Sequence, residues 1–540
     1  MATHITKDIL KEKGLAYVAI LVLLAIMSTL AMAFLFKTGT LRAVTVNRLA
    51  GMQAEYLAEA AANHALWRLL NDPGFPASET VYYMHTLGNG RYGYKVRKPT
   101  PTTFATVAAV GTVGSAVVKQ SYVPYIKAEN ILTTYDKATD AIPKYRQMIG
   151  ANWSIQSETV NDGLDNAIWM VLRGCPTRKE FIMGTLDAAA DINFAVWNGS
   201  AWGNLIEFTE NTGSTNYRAF DVAYENQSRR ALVVGRYDST TAVKYNIWNG
   251  TAWAFAAAQD AFSNAGGSMA YTTMATKPGS DEILIATVTT QNDLKVVRWD
   301  GSAFTDLGVI ETNTQTDGYG CVDIVYEQQS GDALVIWSRF NSSEFYYSVW
   351  NGTSLSTPAL GRDFGKAYTM VRAAAEPAGD YIFIAAVDSL SHLNVAVWDG
   401  DAWIDSRELD TSTNGNAGQI LDVAWEAAGQ DVLVAWSSSS TSSNVSYFTW
   451  QKGTALADHS VRLGPGLEES VNLVRLLPVS GAQKIILLAK NTPPRHLRYS
   501  LWTGSRFKGN PAIQLDNNLS TGTLVYDAAE SGITYTGGSG

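Results

Sequence analysis

At 540 residues the chain is too long for one ordinary domain, so two or three are expected. Its 46% apolar and 17% charged content, with 45 glycines, 16 tryptophans and 25 tyrosines, points to β-structure with many tight turns. A net charge of −9 without a basic stripe interleaved with aromatics argues against a nucleic-acid binder. Two cysteines, Cys175 and Cys321, exclude a disulfide-dense scaffold or a four-ligand cysteine zinc site, and two buried free thiols are expected.

In chain order, the first element is a helix. Residues 15–36 are uncharged and mostly apolar, and at ~1.5 Å per residue they reach about 33 Å, enough to cross a bilayer. Lys7, Lys11 and Lys13 precede the run and Lys37 follows it. The pattern then continues: Leu49, Met52 and Tyr56 share one face, and Leu66, Leu69 and Leu70 extend an apolar stripe until Asn71-Asp72-Pro73-Gly74 stops it. The expectation is one helix over 15–71, transmembrane at 15–36.

This N-terminus resembles type IV pilins. The likeness rests on Lys13-Gly14 followed directly by Leu15-Ala16-Tyr17-Val18-Ala19, and Ala54-Glu55-Tyr56-Leu57-Ala58-Glu59-Ala60 is similar to PilX-type minor pilins and to the tip pseudopilin of type II secretion. The resemblance implies a leader at 1–14, cleavage after Gly14 by a prepilin peptidase and methylation of Leu15. It also implies a single-pass precursor in the cytoplasmic membrane, and other pilin subunits as partners in a cell-surface filament. One residue departs from the pattern: major pilins usually place glutamate fifth in the mature chain, where Ala19 stands here. A subunit without that carboxylate fits a filament tip.

A small pilin-like β-domain is expected over 72–126. Tyr82-Tyr83 and Tyr92-Gly93-Tyr94 flank Gly88-Asn89-Gly90, a hairpin signal, and 104–122 reads as a second hairpin with Gly111 and Gly114 near its turn. The mixed, polar stretch 127–142 reads as a linker.

Beyond it the chain repeats itself. Trp197-Asn198-Gly199 recurs as Trp248-Asn249-Gly250, Trp299-Asp300-Gly301, Trp350-Asn351-Gly352 and Trp398-Asp399-Gly400, with degenerate copies at Trp450 (before Gly453) and Trp502-Thr503-Gly504. Intervals of 51, 51, 51, 48, 52 and 52 residues, each holding four strand-like runs, match the period of a propeller blade. Upstream strand pairs begin with Asp221-Val222-Ala223-Tyr224-Glu225, Asp323-Ile324-Val325-Tyr326-Glu327 and Asp422-Val423-Ala424-Trp425-Glu426. Seven units occupy 166–515, and the ends supply an eighth: two outer strands from 143–158 and two inner strands from 520–537. The fold class expected is therefore multidomain, an α+β pilin-like unit followed by an all-β eight-bladed propeller over 143–540, with seven blades as the alternative. Entry at a third strand would put the Trp-Asn-Gly turns on the face opposite the linker.

The Trp-Asn-Gly motif is read as turn geometry with aromatic packing rather than as sugar sites or as glycosylation at Asn198, Asn249 and Asn351, because it recurs wherever the hairpin does. It lacks the Ser-x-Asp-x-Gly-x-Thr-Trp pattern of sialidases. The loops 410–416 and 314–318 offer oxygens to Ca²⁺ but lack the spaced carboxylates of an EF-hand, so solvated loops and no cofactor are expected. No His-x-x-x-His pair, Gly-x-Ser-x-Gly elbow or phosphate-binding glycine loop occurs, and no catalytic or metal residue is assigned. The function expected is a minor or tip pilin displaying a propeller for adhesion or filament initiation, toward an unknown surface ligand or glycan. A major subunit of a propeller-decorated filament and a pilin-anchored lectin or enzyme are the alternatives.

Overall fold

The computed structural model describes residues 27–30, 45–62, 64–65, 68, 81–97, 106–122, 131–149, 152–159 except 155, and 165–531 apart from 265, 316–319, 416–417, 430 and 494. They fall into two compact units, 1–127 with 149–151, and 128–148 with 152–540.

In the first unit, helical residues 45–62 and 64–65 bury a face spaced at three and four residues, Ala54, Leu57, Ala58, Ala61, Ala62 and Ala65. That face packs on an antiparallel meander of Tyr83–Leu87, Gly90–Arg97, Thr106–Val113 and Ala116–Tyr122. Alanine lets the backbones approach closely. A Cβ on Gly111 would lie 1.9 Å from the Ala54 carbonyl oxygen, so only glycine fits there. The first hairpin turns through Gly88-Asn89, with φ of 57° at Gly88.

The membrane-spanning expectation is corrected here. Among the described residues no helix is long and apolar enough to cross a membrane. Helical residues 45–62 carry Arg48, Glu55 and Glu59 and spend their small apolar face on a sheet. Of 15–36 only 27–30 is described, helical with Met27 and Leu30 exposed. The long transmembrane helix, the pilin-type fold class and the single-pass precursor location are set aside with it; the chain is dominated by four-stranded sheets.

The second unit is the propeller. Seven four-stranded antiparallel sheets follow in order, and we number them as blades. Blade 1 starts at Ala167–Gly174, blade 2 at Phe220–Tyr224, blade 3 at Met269–Thr276 and blade 4 at Val322–Tyr326. Blade 5 starts at Tyr368–Ala375, blade 6 at Leu421–Trp425 and blade 7 at Val471–Pro478. Second strands such as Ile283–Thr289 and Ile382–Asp388 are buried at every position, because neighbouring blades cover both faces; hence the unbroken apolar runs. Each first strand neighbours the next around a circuit that returns through Tyr526–Glu530 to blade 1. No first strand is left as an exposed edge.

Blade 8 joins the chain ends. Its inner strand is Tyr526–Glu530, paired with Ile131–Lys137, then Asp140–Ile149, then Asn152–Trp153 and Ser157–Glu158. The two-plus-two closure is thus corrected to one strand from the C-terminal end and the rest from the N-terminal side; residues 533–535 lie outside the described residues. The linker assigned to 127–142 holds a buried strand. Its polar residues face inward: Thr133 and Thr134 are fully buried, the Thr133 hydroxyl donating to the Asp527 carbonyl (3.0 Å). Lys144 is also buried, paired with Asp140 and with Glu158 (3.0 Å). Ile131 pairs with Glu530 at the end where first strands finish, so the chain enters the ring on the face bearing the Trp-Asn-Gly turns, reversing the expected side.

Candidate functional site

The repeated residues build a scaffold, and the places where repetition fails build a site. Even-numbered blades carry an aspartate in the inner strand: Asp221, Asp323, Asp422 and Asp527. One carboxylate oxygen of each accepts the following backbone N–H, at 2.9, 3.0, 3.0 and 2.8 Å. The other reaches the next blade, accepting from Met274 (3.3 Å), Ala373 (3.0 Å), Leu476 (2.8 Å) and Leu172 (2.9 Å). Three residues before each aspartate stand Arg218, Gly320, Gln419 and Leu524. Their carbonyls accept the N–H groups of Thr272, Val371, Val474 and Met170, at 3.3, 2.9, 2.8 and 2.8 Å. The ring is therefore four double blades, a pseudo-fourfold order in which even and odd blades play different parts.

Cations from the odd blades complete the belt. Arg173 lies between Asp527 (3.2 Å) and Asp221 (3.1 Å), and Arg475 between Asp527 (2.9 Å) and Asp422 (3.1 Å). Blade 3 has Thr273 instead, its hydroxyl 3.5 Å from Asp323. Arg218 leans in from above, 3.5 Å from Asp221. Burial raises the Asp323 carboxyl above its ordinary range, against the pull of Arg372.

At the end of the axis where inner strands begin, a cavity of about 10 Å³ is lined by Trp169, Arg218, Tyr271, Arg372, Gln419, Thr523 and Leu524. That is about enough to hold one water. The Arg218 guanidinium donates to the Tyr271 hydroxyl (3.1 Å) and the Thr272 carbonyl (2.7 Å) and sits 4.8 Å from the Tyr271 ring centroid. Arg372 donates to the Gln419 side-chain oxygen (2.9 Å) and the Val371 carbonyl (2.7 Å). Gly320, at φ 103°, leaves this space open: a Cβ there would lie 2.5 Å from an Arg372 nitrogen and 2.8 Å from the Tyr271 hydroxyl. No sequence motif marked these residues, which come from separate blades. A comparison of the repeats three residues before each aspartate would have shown four different side chains on one repeated frame.

The motif residues lie at the opposite face and between blades. Trp197, Trp248, Trp299, Trp350, Trp398, Trp450 and Trp502 are all buried. Four indole N–H groups latch neighbouring blades through a carboxylate: Trp299 to Glu225 (2.7 Å), Trp350 to Glu282 (2.9 Å), Trp398 to Glu327 (2.7 Å) and Trp502 to Glu426 (2.7 Å). Burial raises the carboxyls of Glu327 and Glu426. Arg230 and Arg298 hold Glu225 and Glu282 (both 2.7 Å). Trp450 donates instead to the Thr454 carbonyl (3.0 Å), and the indole nitrogens of Trp197 and Trp248 have no partner among the described residues. The turns are closed by Asx geometry. Asn249 accepts the Thr251 N–H (2.9 Å), its hydroxyl (2.8 Å) and the Ala252 N–H (3.0 Å), and Asn198, Asp300, Asn351 and Asp399 do the same work. Gly199, Gly250, Gly301, Gly352, Gly400, Gly453 and Gly504 all have φ between 84° and 108°.

Cys175 and Cys321 are buried, and neither is in a disulfide. Among the described residues, no group of three or more His, Cys, Asp or Glu is placed to hold a metal ion. In the loop at 410–416 the Asp410 oxygens accept from Ser412 (3.0 Å) and Trp436 (2.7 Å). Gly14 and Leu15 lie outside the described residues.

No protein-family model matches the chain, and no curated protein matches it. Solved structures similar to it include the BP39L lectin from Burkholderia pseudomallei, at 13% identity and a TM-score of 0.45, covering 64% of this chain and 99% of the lectin. AofleA from Arthrobotrys oligospora follows at 9% and 0.35, covering 68% of this chain and 90% of that protein. A six-bladed fucose-recognising lectin from Aleuria aurantia matches at 15% and 0.31, covering 56% of this chain and 91% of the lectin.

Proposed function

We propose that the propeller is a binding module that takes a carbohydrate at the axial mouth. One observation carries this reading: Trp169, Tyr271, Arg218, Arg372 and Gln419 converge on one cavity where the repeat breaks its own pattern. Planar polar groups converging on one enclosed point suit a hydroxyl-bearing edge of a ligand, with the rings of Trp169 and Tyr271 buried in the walls. The blade-junction carboxylates serve this purpose less well. Indole and arginine donors already engage them, so a sugar would have to displace internal hydrogen bonds.

The test is glycan-array binding by the full chain beside a Thr523→Trp variant, which plugs the mouth at a half-buried position. The variant is expected to keep its unfolding temperature and lose binding. Equal binding by both proteins would move the site elsewhere. Display by a filament-type N-terminal unit, with processing between Gly14 and Leu15, is proposed on the pilin resemblance alone. Mass spectrometry of the mature N-terminus reads it directly, and an uncleaved Met1 would end it.

A further inference from the structure

The odd blades repeat one corner, the turn from second to third strand, and blade 1 fills it differently. Aligned on their closing tryptophans, the third strands put Lys295 of blade 3 and Arg498 of blade 7 where blade 1 has Asn193. The same alignment puts His392 of blade 5 where blade 1 has Asp191. Lys295 reaches Asp306 and the Ser263 carbonyl (both 2.7 Å), and Arg498 pairs with Glu468. His392, a cation when protonated, lies 3.2 Å from Glu408 and 3.8 Å from Asp388. Blade 1 keeps both of blade 5's acids, as Asp187 and Glu207, and adds Asp191 in place of the imidazole. Burial raises the Asp191 carboxyl to about 6, and Asp187, Glu207, Glu210 and Asp165 all push it the same way, with no cation among the groups acting on it.

Unused oxygens surround this charge. Asp191 Oδ1 and Asn166 Oδ1 are buried with no hydrogen-bond partner among the described residues, and so is Thr185 Oγ1, in a residue 2% exposed. Thr185 shares a strand face with Asp187, two residues on, and stands directly across from Asn193, whose amide lies 3.5 Å from Asp187. The counterpart of Thr185 in blade 3, Thr287, donates to Asn264 (2.8 Å). Like charges gathered beside unsatisfied oxygens are relieved by a cation.

We propose that this corner of blade 1 binds a hydrated divalent cation of the Ca²⁺ class, held by Asp191 and Asp187 with the Asn166 and Thr185 oxygens beside it. The ion takes the place that a side-chain cation fills in the other odd blades. Carboxylate, amide and hydroxyl oxygens are the hard ligands that Ca²⁺ prefers. Among the described residues no three acids close on one point, so water completes the shell and the expected affinity is about 0.1–1 mM. The cation site does not depend on the mouth taking a carbohydrate.

Ca²⁺ is titrated into the full chain by isothermal calorimetry, and urea unfolding is compared in about 10 mM CaCl₂ and in NaCl of equal ionic strength. The expected result is a folded-to-unfolded ratio about 10- to 100-fold higher in CaCl₂. Asp191→Asn removes the central charge from a side chain whose buried oxygen holds no hydrogen bond. It is expected to keep the fold, to gain stability without Ca²⁺ and to bind Ca²⁺ about tenfold more weakly. Asp191→His copies blade 5 and is expected to lose the Ca²⁺ response altogether. Glu207→Gln, at an exposed side chain, is expected to weaken Ca²⁺ binding in the same direction. Circular dichroism checks that each variant keeps the fold. A wild type that gains nothing beyond the NaCl control overturns the proposal. So does one Ca²⁺ response shared by wild type and every folded variant.

Discussion

Asp527→Asn probes the belt where it is most heavily used. The Asp527 carboxylate accepts from Arg173 (3.2 Å), Arg475 (2.9 Å), the Leu172 N–H (2.9 Å) and the Ala528 N–H (2.8 Å), with its side chain 6% exposed. Asparagine keeps the shape and one acceptor but turns an amide donor toward donors. Breaking a buried pair costs roughly 3–5 kcal/mol. Both arginines retain one aspartate, Asp221 and Asp422 respectively, and both are more than a quarter exposed, so the lower end applies. A loss of about 3 kcal/mol is a large share of an ordinary domain's stability. The control is Asp260→Asn in the Lys244–Asp260 pair (2.7 Å), where Asp260 is 81% exposed and the expected loss is below about 1 kcal/mol. Urea unfolding followed by tryptophan fluorescence compares the two. If both variants unfold at the same midpoint, the belt does not hold the ring as described.

Three further outcomes are expected. Trp299→Phe should cost about 1.5–3 kcal/mol more than Trp248→Phe, because only Trp299 gives its indole N–H to a buried carboxylate; equal urea midpoints would count against the latch. Asn351→Asp should be nearly neutral, since Asp300 and Asp399 fill the same turn position, while Asn351→Ala should cost about 1 kcal/mol of unfolding free energy by calorimetry. Asp136 lies in the closing sheet with both oxygens buried, and burial, outweighing the pull of Ser520 and of the Ala167 and Lys137 backbone, pushes its carboxyl to about 7. The unfolded chain releases that proton near pH 4. Between these values the folded state binds the extra proton, so stability falls as pH rises, and the full penalty stands above pH 7. Asp136→Asn should therefore be more stable than wild type at pH 8, by at most about 4 kcal/mol, with the gain fading toward pH 4; a gain independent of pH refutes the assignment.

The readable parts of the sequence were those whose chemistry is local. An Asn or Asp with glycine beside it closes a turn by itself, so each Trp-Asn-Gly hairpin announced its position, and apolar second strands followed from burial on both faces. Strand 131–137 was hidden because the buried Thr133 hydroxyl finds its acceptor only after the chain end, some 390 residues later, arrives beside it. The mouth was hidden for a related reason. Arg218, Tyr271, Arg372 and Gln419 share no local motif, and only the ring brings them together. The apolar run at 15–36 was legible as a pattern, yet the helix that the structure describes beyond it spends its apolar face on a sheet.

The claim beneath all of this is that the two chain ends share one sheet and so complete the ring that forms the mouth. Ile131 and Glu530 face each other in that sheet, and an Ile131→Cys, Glu530→Cys double variant measures the contact. On oxidation, mass spectrometry should find the two peptides joined, and the unfolding free energy should rise, by up to about 5 kcal/mol. Folded protein whose two cysteines stay unlinked under the same conditions would contradict the closure.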